Sequence, residues 1–228
     1  MINYTNNVKV DVVVNELFAR HESELYAIRQ FFKNRVATEP GYDPFKFDEK
    51  TNAFFSDKVM ALDPDKSQYC YNLCRALKPK IVVEAGTSYG LSTLFLAAAI
   101  KENSEGKEEK GIIHCSELSP AKVKKAKEYF SRAEVDDVIN LRTGDILSTL
   151  KDIEGPIDLV LLDIGKPVPT ELIKLLYDRL KPGCVILSDE PEQRYNYGDF
   201  FDYINSPENN FSTMTLPFSG GLEFTVKL

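Results

Sequence analysis

The strongest constraint on this chain is a rhythm that sets in at residue 80, where short continuous apolar runs alternate with segments whose apolar residues recur every three to four positions. The runs are KIVVEAG, GIIHCSEL, VINLRTGD, IDLVLLDI and CVILSDE. Between them, LSTLFLAAAI reads as helix, and Ser119-Pro120 supplies an N-cap and a first-turn proline for a helix burying Val123, Ala126, Phe130 and Ala133. Thr170 opens another, with Leu172, Ile173, Leu176 and Leu180 inward and Lys181-Pro182-Gly183 closing it. A strand that is apolar on both sides must be covered on both faces, which predicts a parallel sheet between two helical layers. The end of the chain breaks the rhythm: FSTMTLP and GLEFTVKL are alternating strands with no helix between them, an antiparallel hairpin at the sheet edge. Before residue 80, residues 9–37 read as a helix with Val13, Leu17, Leu25, Ile28 and Phe32 on one face. A flap rich in Pro, Gly and Phe follows over 37–55, then a helix capped by Asp65 and running to Leu77.

Composition narrows the class. At 228 residues the chain is one domain or one with an appendage, and 43% hydrophobic with 28% charged residues is ordinary for a globular protein. A net charge of −7 gives no global electrostatic reason to hold nucleic acid or an anionic membrane. The longest apolar stretch, Leu91–Ile100, is well short of the ~18 residues a membrane span needs, and no basic segment leads into an apolar one at the start. Cys70, Cys74, Cys115 and Cys184 lie in apolar patterns, as buried thiols of a reducing compartment do, and with only His21 and His114 beside them no zinc knuckle can be assembled. The expectation is a cytoplasmic protein.

In an open parallel sheet the ligand lies beyond the carboxyl ends of the strands, so the last residue or two of each strand carry the chemistry. The first strand ends in Glu84-Ala85-Gly86-Thr87-Ser88-Tyr89-Gly90, an E-x-G-x-x-x-G turn. Its glycines let backbone pass close to a ligand, and the helix that follows offers free N–H groups. The spacing is not the G-x-G-x-x-G of dinucleotide binders, and a plain strand-to-helix turn looks the same. The second strand ends in Glu117, which can accept hydrogen bonds from both hydroxyls of a ribose or stand as an exposed acid. The third ends in Gly144-Asp145, suited to the amino group of an adenine and equally to capping the helix after it. The fourth ends in Asp163 with Lys166 three residues on, and the fifth in Asp189-Glu190. Carboxylates from adjacent strand ends repel one another unless protons or a cation relieve them, and oxygen donors alone favour Mg²⁺, Ca²⁺ or Mn²⁺. Open solvent around them is the competing reading. His114, in mid-strand, reads as a hydrogen-bonded core residue.

In this order VVEAGTSYGLST, HCSELSP, RTGD, LLDIGK, LSDE and LPFSGGLEFTVKL resemble the class I S-adenosylmethionine-dependent O-methyltransferases of the catechol and caffeoyl-CoA type and their bacterial relatives, from about Asp65 to Leu228. The resemblance implies a Rossmann-like α/β fold with a seven-stranded, mostly parallel sheet, a C-terminal antiparallel hairpin and an N-terminal helical extension. It divides the chain into N-terminal helices and flap, 1–64, over a methyltransferase domain, 65–228. It implies that Glu84, Gly86, Thr87, Ser88 and Gly90 shape the methionine side of the cofactor pocket and that Ser92 meets the cofactor carboxylate. Glu117 with Leu118 would hold the ribose, and Gly144 and Asp145 the adenine. Asp163 would lie beside the methyl donor and ligate a metal with Asp189 and Glu190, the last standing where the family has asparagine. Lys166 stands where the catechol enzymes keep the lysine that takes the acceptor proton; a loop lysine pairing with Asp163 is the alternative. The implied activity is metal-assisted methyl transfer to a hydroxyl of a small, aromatic acceptor, by a homodimer. Tyr195, Tyr197, Phe200, Phe201 and Tyr203 would wall the acceptor pocket or pack a helix. Metal-free transfer to an amine, an NAD(P)-dependent oxidoreductase and a non-catalytic cofactor binder are the competing functions.

Overall fold

The computed structural model describes residues 1–44, 48–164, 168–189 and 198–228. Seven strands form one sheet in the order β3-β2-β1-β4-β5-β7-β6. They are β1 (Ile81–Ala85), β2 (Ile112–Glu117), β3 (Ile139–Thr143), β4 (Ile157–Leu162), β5 (Leu180–Asp189), β6 (Phe211–Leu216) and β7 (Leu222–Lys227). The first five pair in parallel, and β7 runs antiparallel to both β5 and β6. The expected sheet and its closing hairpin are both present.

Strand residues alternate between two cores. Val82, Ile113, Leu159, Leu161, Val185 and Leu187 face one; Val83, Val160, Leu162 and Ile186 face the other. Helices α1 (Val8–Thr38), α3 (Pro64–Leu77), α4 (Leu91–Asn103) and α5 (Pro120–Arg132) supply the first core. The short α6 (Ile146–Thr149), α7 (Val168–Leu176) and α8 (Gly198–Asn205) belong to the second. Every residue from Leu91 to Ile100 is buried, because α4 is enclosed by the sheet, α1 and α3; a helix apolar all round can only be a buried one. Phe200 and Phe201 pack into the second core with Ile204, while Tyr195 and Tyr197 lie outside the described residues.

Three boundaries differ from the sequence expectations. Helix α7 ends at Leu176, followed by a 3₁₀ turn, and Leu180 through Gly183 begin β5 instead of closing a helix. The ladder tolerates Pro182, which has no N–H to give, because the β4–β5 register shifts between Ile157 and Leu159. Helix α3 begins two residues earlier, with Asp63 at the N-cap position, where its side chain makes no capping hydrogen bond, and Pro64 behind it. The flap carries a helix, α2 (Glu49–Phe55), held by a buried Arg35 whose guanidinium bonds Asp48 at 2.6 Å and Thr51 at 2.8 Å.

The strand order reverses between β1 and β4, which fixes the switch point where an open sheet takes its ligand. The turn leaving β1 is held by Gly90 at φ +85, capping α4; a Cβ there would come within 2.3 Å of the buried Phe130 ring. Gly90→Ala should therefore cost about 3 kcal/mol or more of unfolding free energy in urea titration. Gly106→Ala, at φ +70 with open space around it, should cost about 1 kcal/mol.

Candidate functional site

The site is built from the loops that leave the strands at the switch point. Gly86, at φ +97, lets the β1 turn run against the end of β4: a Cβ there would lie 2.1 Å from the Asp163 carbonyl oxygen. The Asp163 amide donates to the Ala85 carbonyl at 3.0 Å, locking the two strand ends together. The turn continues through Thr87, whose amide and hydroxyl both donate to the Ser116 carbonyl, at 3.2 and 3.3 Å. That joins β1's exit to β2's.

Glu117 ends β2 between two loops. Its Oε2 accepts from the Ser88 amide at 2.9 Å and its Oε1 from the Ser119 amide at 2.8 Å, so the carboxylate is fixed by backbone from both sides. A carboxylate can accept about four hydrogen bonds, and these two leave capacity for two hydroxyls. The Glu117 carbonyl accepts from the Gly144 amide at 3.0 Å, bringing the β3 loop alongside. Asp145 is exposed and caps α6, accepting from the Ser148 amide at 3.0 Å; Leu118 is 72% exposed beside Glu117. Ser88 completes the turn at φ +49, and its hydroxyl oxygen is buried without a hydrogen-bond partner. An orphaned buried hydroxyl beside a half-committed carboxylate fits a ligand that brings sugar hydroxyls.

Glu84 is different in kind. It is fully buried, and its carboxylate accepts from the Ser92 hydroxyl at 2.7 Å and from the Thr93 hydroxyl. Burial pushes its pKa up to about 7, against the lowering effect of the Thr93, Ser92 and Thr87 hydroxyls. It ties the first turn of α4 to β1, and this commits the Ser92 hydroxyl to Glu84.

At the other end of the switch point, Asp163 and Asp189 leave adjacent strands β4 and β5, while Lys166 and Glu190 lie outside the described residues. Asp189 accepts from Nζ of Lys66 at 2.6 Å; that ammonium is 3.6 Å from Asp63, and Lys66 is 1% exposed. Cys70 lies on the same helix, its thiol held well above the usual range by burial and then by the charges of Asp189, Glu84 and Asp163. All four cysteines are free and buried. Among the described residues no three His, Cys, Asp or Glu side chains form a ready metal cage. Carboxylate oxygens are the donors a hard cation takes, and Asp163 and Asp189 offer them, although one Asp189 oxygen already accepts from the Lys66 ammonium. His114 meets Asn140 at 3.3 Å, and burial lowers its pKa, as suits a core histidine.

Sequence reasoning missed Lys66 and a second buried lysine, Lys122. Both occupy the third position of a helix whose first residue is proline, α3 and α5. Cations are disfavoured in that turn by the helix dipole, and this is the signal that would have flagged them.

Residues 83–190 match a family model described as a methyltransferase domain. A catechol O-methyltransferase of Niastella koreensis is 25% identical over 58% of this chain and 58% of its own length. The O-methyltransferase ankF of Aspergillus thermomutatus is 30% identical over 60% of this chain and 56% of its own. The chain thus spans a little over half the length of the curated relatives it matches. Among solved structures, an O-methyltransferase from Bacillus cereus in complex with S-adenosylhomocysteine aligns over 93% of this chain and 100% of its own, with a TM-score of 0.66 and 20% identity. Residues 83–190, a little under half of the chain, thus resemble a methyltransferase domain. The chain is similar to O-methyltransferases, a catechol O-methyltransferase among them, and shares its fold with a solved O-methyltransferase, in keeping with the order of motifs in the sequence.

Glu84 generates a pH prediction. Its folded pKa lies above the unfolded value of about 4.3, so its stabilising contribution is full below that pH and is lost as pH rises through about 7. In urea unfolding, wild type should lose roughly 3 kcal/mol relative to Glu84→Gln between pH 4.5 and 8. A flat difference across that window would contradict the assignment.

Proposed function

We propose that the chain is an S-adenosylmethionine-dependent methyltransferase that moves a methyl group to a hydroxyl of a small molecule. The observation that carries this reading is the Glu117 carboxylate, fixed at the switch point by the Ser88 and Ser119 amides with room for two more donors, inside a segment that matches a methyltransferase domain. That match also weighs against an NAD(P)-dependent oxidoreductase. Glu117 takes the ribose diol, and Gly144 and Asp145 border the adenine. The Gly86 turn sets the methionine end beside Asp163, and Glu84 holds the α4 N-terminus rigid behind it. The bound cofactor supplies an activated methyl on a sulfonium.

The chain's own task is then to hold an acceptor oxygen in line with that methyl and to remove its proton. Positioning of this kind is worth up to ~7–11 kcal/mol of the barrier. Lys166, three residues after Asp163, is the residue we assign to take the proton. Asp163, Asp189 and Glu190 would hold a divalent cation (Mg²⁺, Mn²⁺ or Ca²⁺), which when bound acidifies and orients the hydroxyl. Residues 1–64 form the cover over the acceptor end, supported by Arg20 of α1, which donates to the Asp57 carbonyl at 2.5 Å and to the Tyr89 hydroxyl at 3.4 Å. The catechol relatives support an aromatic hydroxyl as acceptor. Four buried free thiols support a cytoplasmic setting, and no described helix is long and apolar enough to cross a membrane. The homodimer rests on the resemblance alone.

One observation favours a second reading. Asp189 already carries the Lys66 ammonium, which relieves one carboxylate without any metal and leaves metal-free transfer to an amine or other small acceptor as the rival. Manganese titration followed by EPR on protein saturated with S-adenosylhomocysteine separates the two, alongside transfer assays with catechols and amines in EDTA. The metal-assisted reading expects one bound Mn²⁺, lost in Asp189→Ala, and EDTA-sensitive methylation of a vicinal hydroxyl. Undetectable Mn²⁺ with EDTA-resistant transfer would establish the rival.

A further inference from the structure

Lys122 carries an ammonium on a largely buried side chain. It sits in the first turn of α5 and is 9% exposed. Among the described residues its Nζ makes no hydrogen bond or ion pair; the one contact recorded for it is the Tyr89 ring, with the centroid 5.7 Å away. Tyr89 belongs to the β1 turn, and Arg20 reaches the same ring at 4.6 Å. Burial lowers the Lys122 pKa, and the Glu117 carboxylate is the foremost charge acting against that fall, ahead of Asp57 and Glu24, with Arg20 reinforcing it. Two donors without a partner among the described residues therefore lie at the β1 turn that holds Glu117: the Lys122 ammonium, against the Tyr89 ring, and the buried hydroxyl of the neighbouring Ser88, held at positive φ.

The buried Ser88 hydroxyl without a partner is costly and calls for an acceptor, and the Lys122 ammonium, unpaired among the described residues and not sealed from solvent, is free to serve the same one. A sugar diol supplies what is missing on both counts. Its hydroxyl protons go to the Glu117 carboxylate, and its oxygen lone pairs then remain open to donors. We propose that Lys122, together with the Ser88 hydroxyl, donates to the sugar hydroxyl oxygens of the nucleoside held by Glu117, making Lys122 a cofactor-binding residue. The inference rests on the reading of Glu117 given under Proposed function, and it extends that site from one acceptor group to an acceptor flanked by two donors. It also explains why a lysine is kept where the helix dipole disfavours one: the ligand's oxygens, not the helix, are its partners.

The test is calorimetric titration with S-adenosylhomocysteine and with its 2′,3′-dideoxyribose analogue, on wild type, Lys122→Met, Lys122→Gln and Ser88→Ala, with thermal unfolding of each variant to establish that it is folded. Loss of a charge-assisted hydrogen bond should weaken S-adenosylhomocysteine roughly tenfold or more in Lys122→Met and Lys122→Gln, and about threefold to tenfold in Ser88→Ala. None of the three should change the affinity for the dideoxy analogue. Wild-type affinity for S-adenosylhomocysteine in the Lys122 variants, or an equal loss for both ligands, would overturn the inference while leaving the cofactor reading intact. A wild-type chain that binds neither ligand would overturn the cofactor reading, and this inference with it.

Discussion

The structure depends on the close approach of the β1 and β4 ends at the point where strand order reverses. Gly86 has no room for a Cβ because the Asp163 carbonyl lies where one would go, and the Asp163 amide bonds the last carbonyl of β1. That contact puts the glycine turn and the β4 carboxylate within one site. The turn then passes to β2 through Thr87 and Ser116, and to the Glu117 carboxylate through the Ser88 amide. Each loop is satisfied largely by the neighbouring one, so the ligand edge of the sheet is preorganised rather than assembled on binding.

Charge is arranged unevenly along this edge. At the Glu117 end one carboxylate is held by two backbone amides, and Lys122 and Arg20 both lie against the Tyr89 ring of the adjoining turn. At the β5 end Asp189 is paired with a lysine that is itself almost fully buried. A buried ion pair contributes little net stability, but removing one partner costs about 3–5 kcal/mol because the other charge is stranded. Lys66 is thus better understood as fixing the charge and direction of Asp189 than as a source of stability. Between the two ends, burial shifts both Glu84 and Cys70 toward their neutral forms.

Much of this was legible in the sequence because the signals were local and repeated. Five apolar runs alternating with helical patterns fixed the sheet, and the strand-end rule singled out Glu84, Gly86, Glu117, Asp145, Asp163 and Asp189 before any geometry was known. What sequence could not give were pairings across distance. Lys66 and Asp189 are 123 positions apart in the chain, and nothing local links them. The Glu84 carboxylate reads as a ligand contact in sequence, yet it bonds helix hydroxyls eight and nine residues on. Pro182 and Gly183 read as a helix stop, and the register shift beside them lets them sit in a strand instead. The two buried lysines broke a local rule, a cation in a helix's first turn, and such breaks concentrate at functional sites.

The central claim is that the Glu117 edge of this switch point holds S-adenosylmethionine rather than a nicotinamide dinucleotide. Isothermal titration of S-adenosylhomocysteine and of NAD⁺ against wild type and Glu117→Ala tests it most directly. The account predicts one S-adenosylhomocysteine per chain, at least tenfold weaker binding in Glu117→Ala, and no heat from NAD⁺. Binding of NAD⁺ with none of S-adenosylhomocysteine, or S-adenosylhomocysteine affinity indifferent to Glu117, would contradict it.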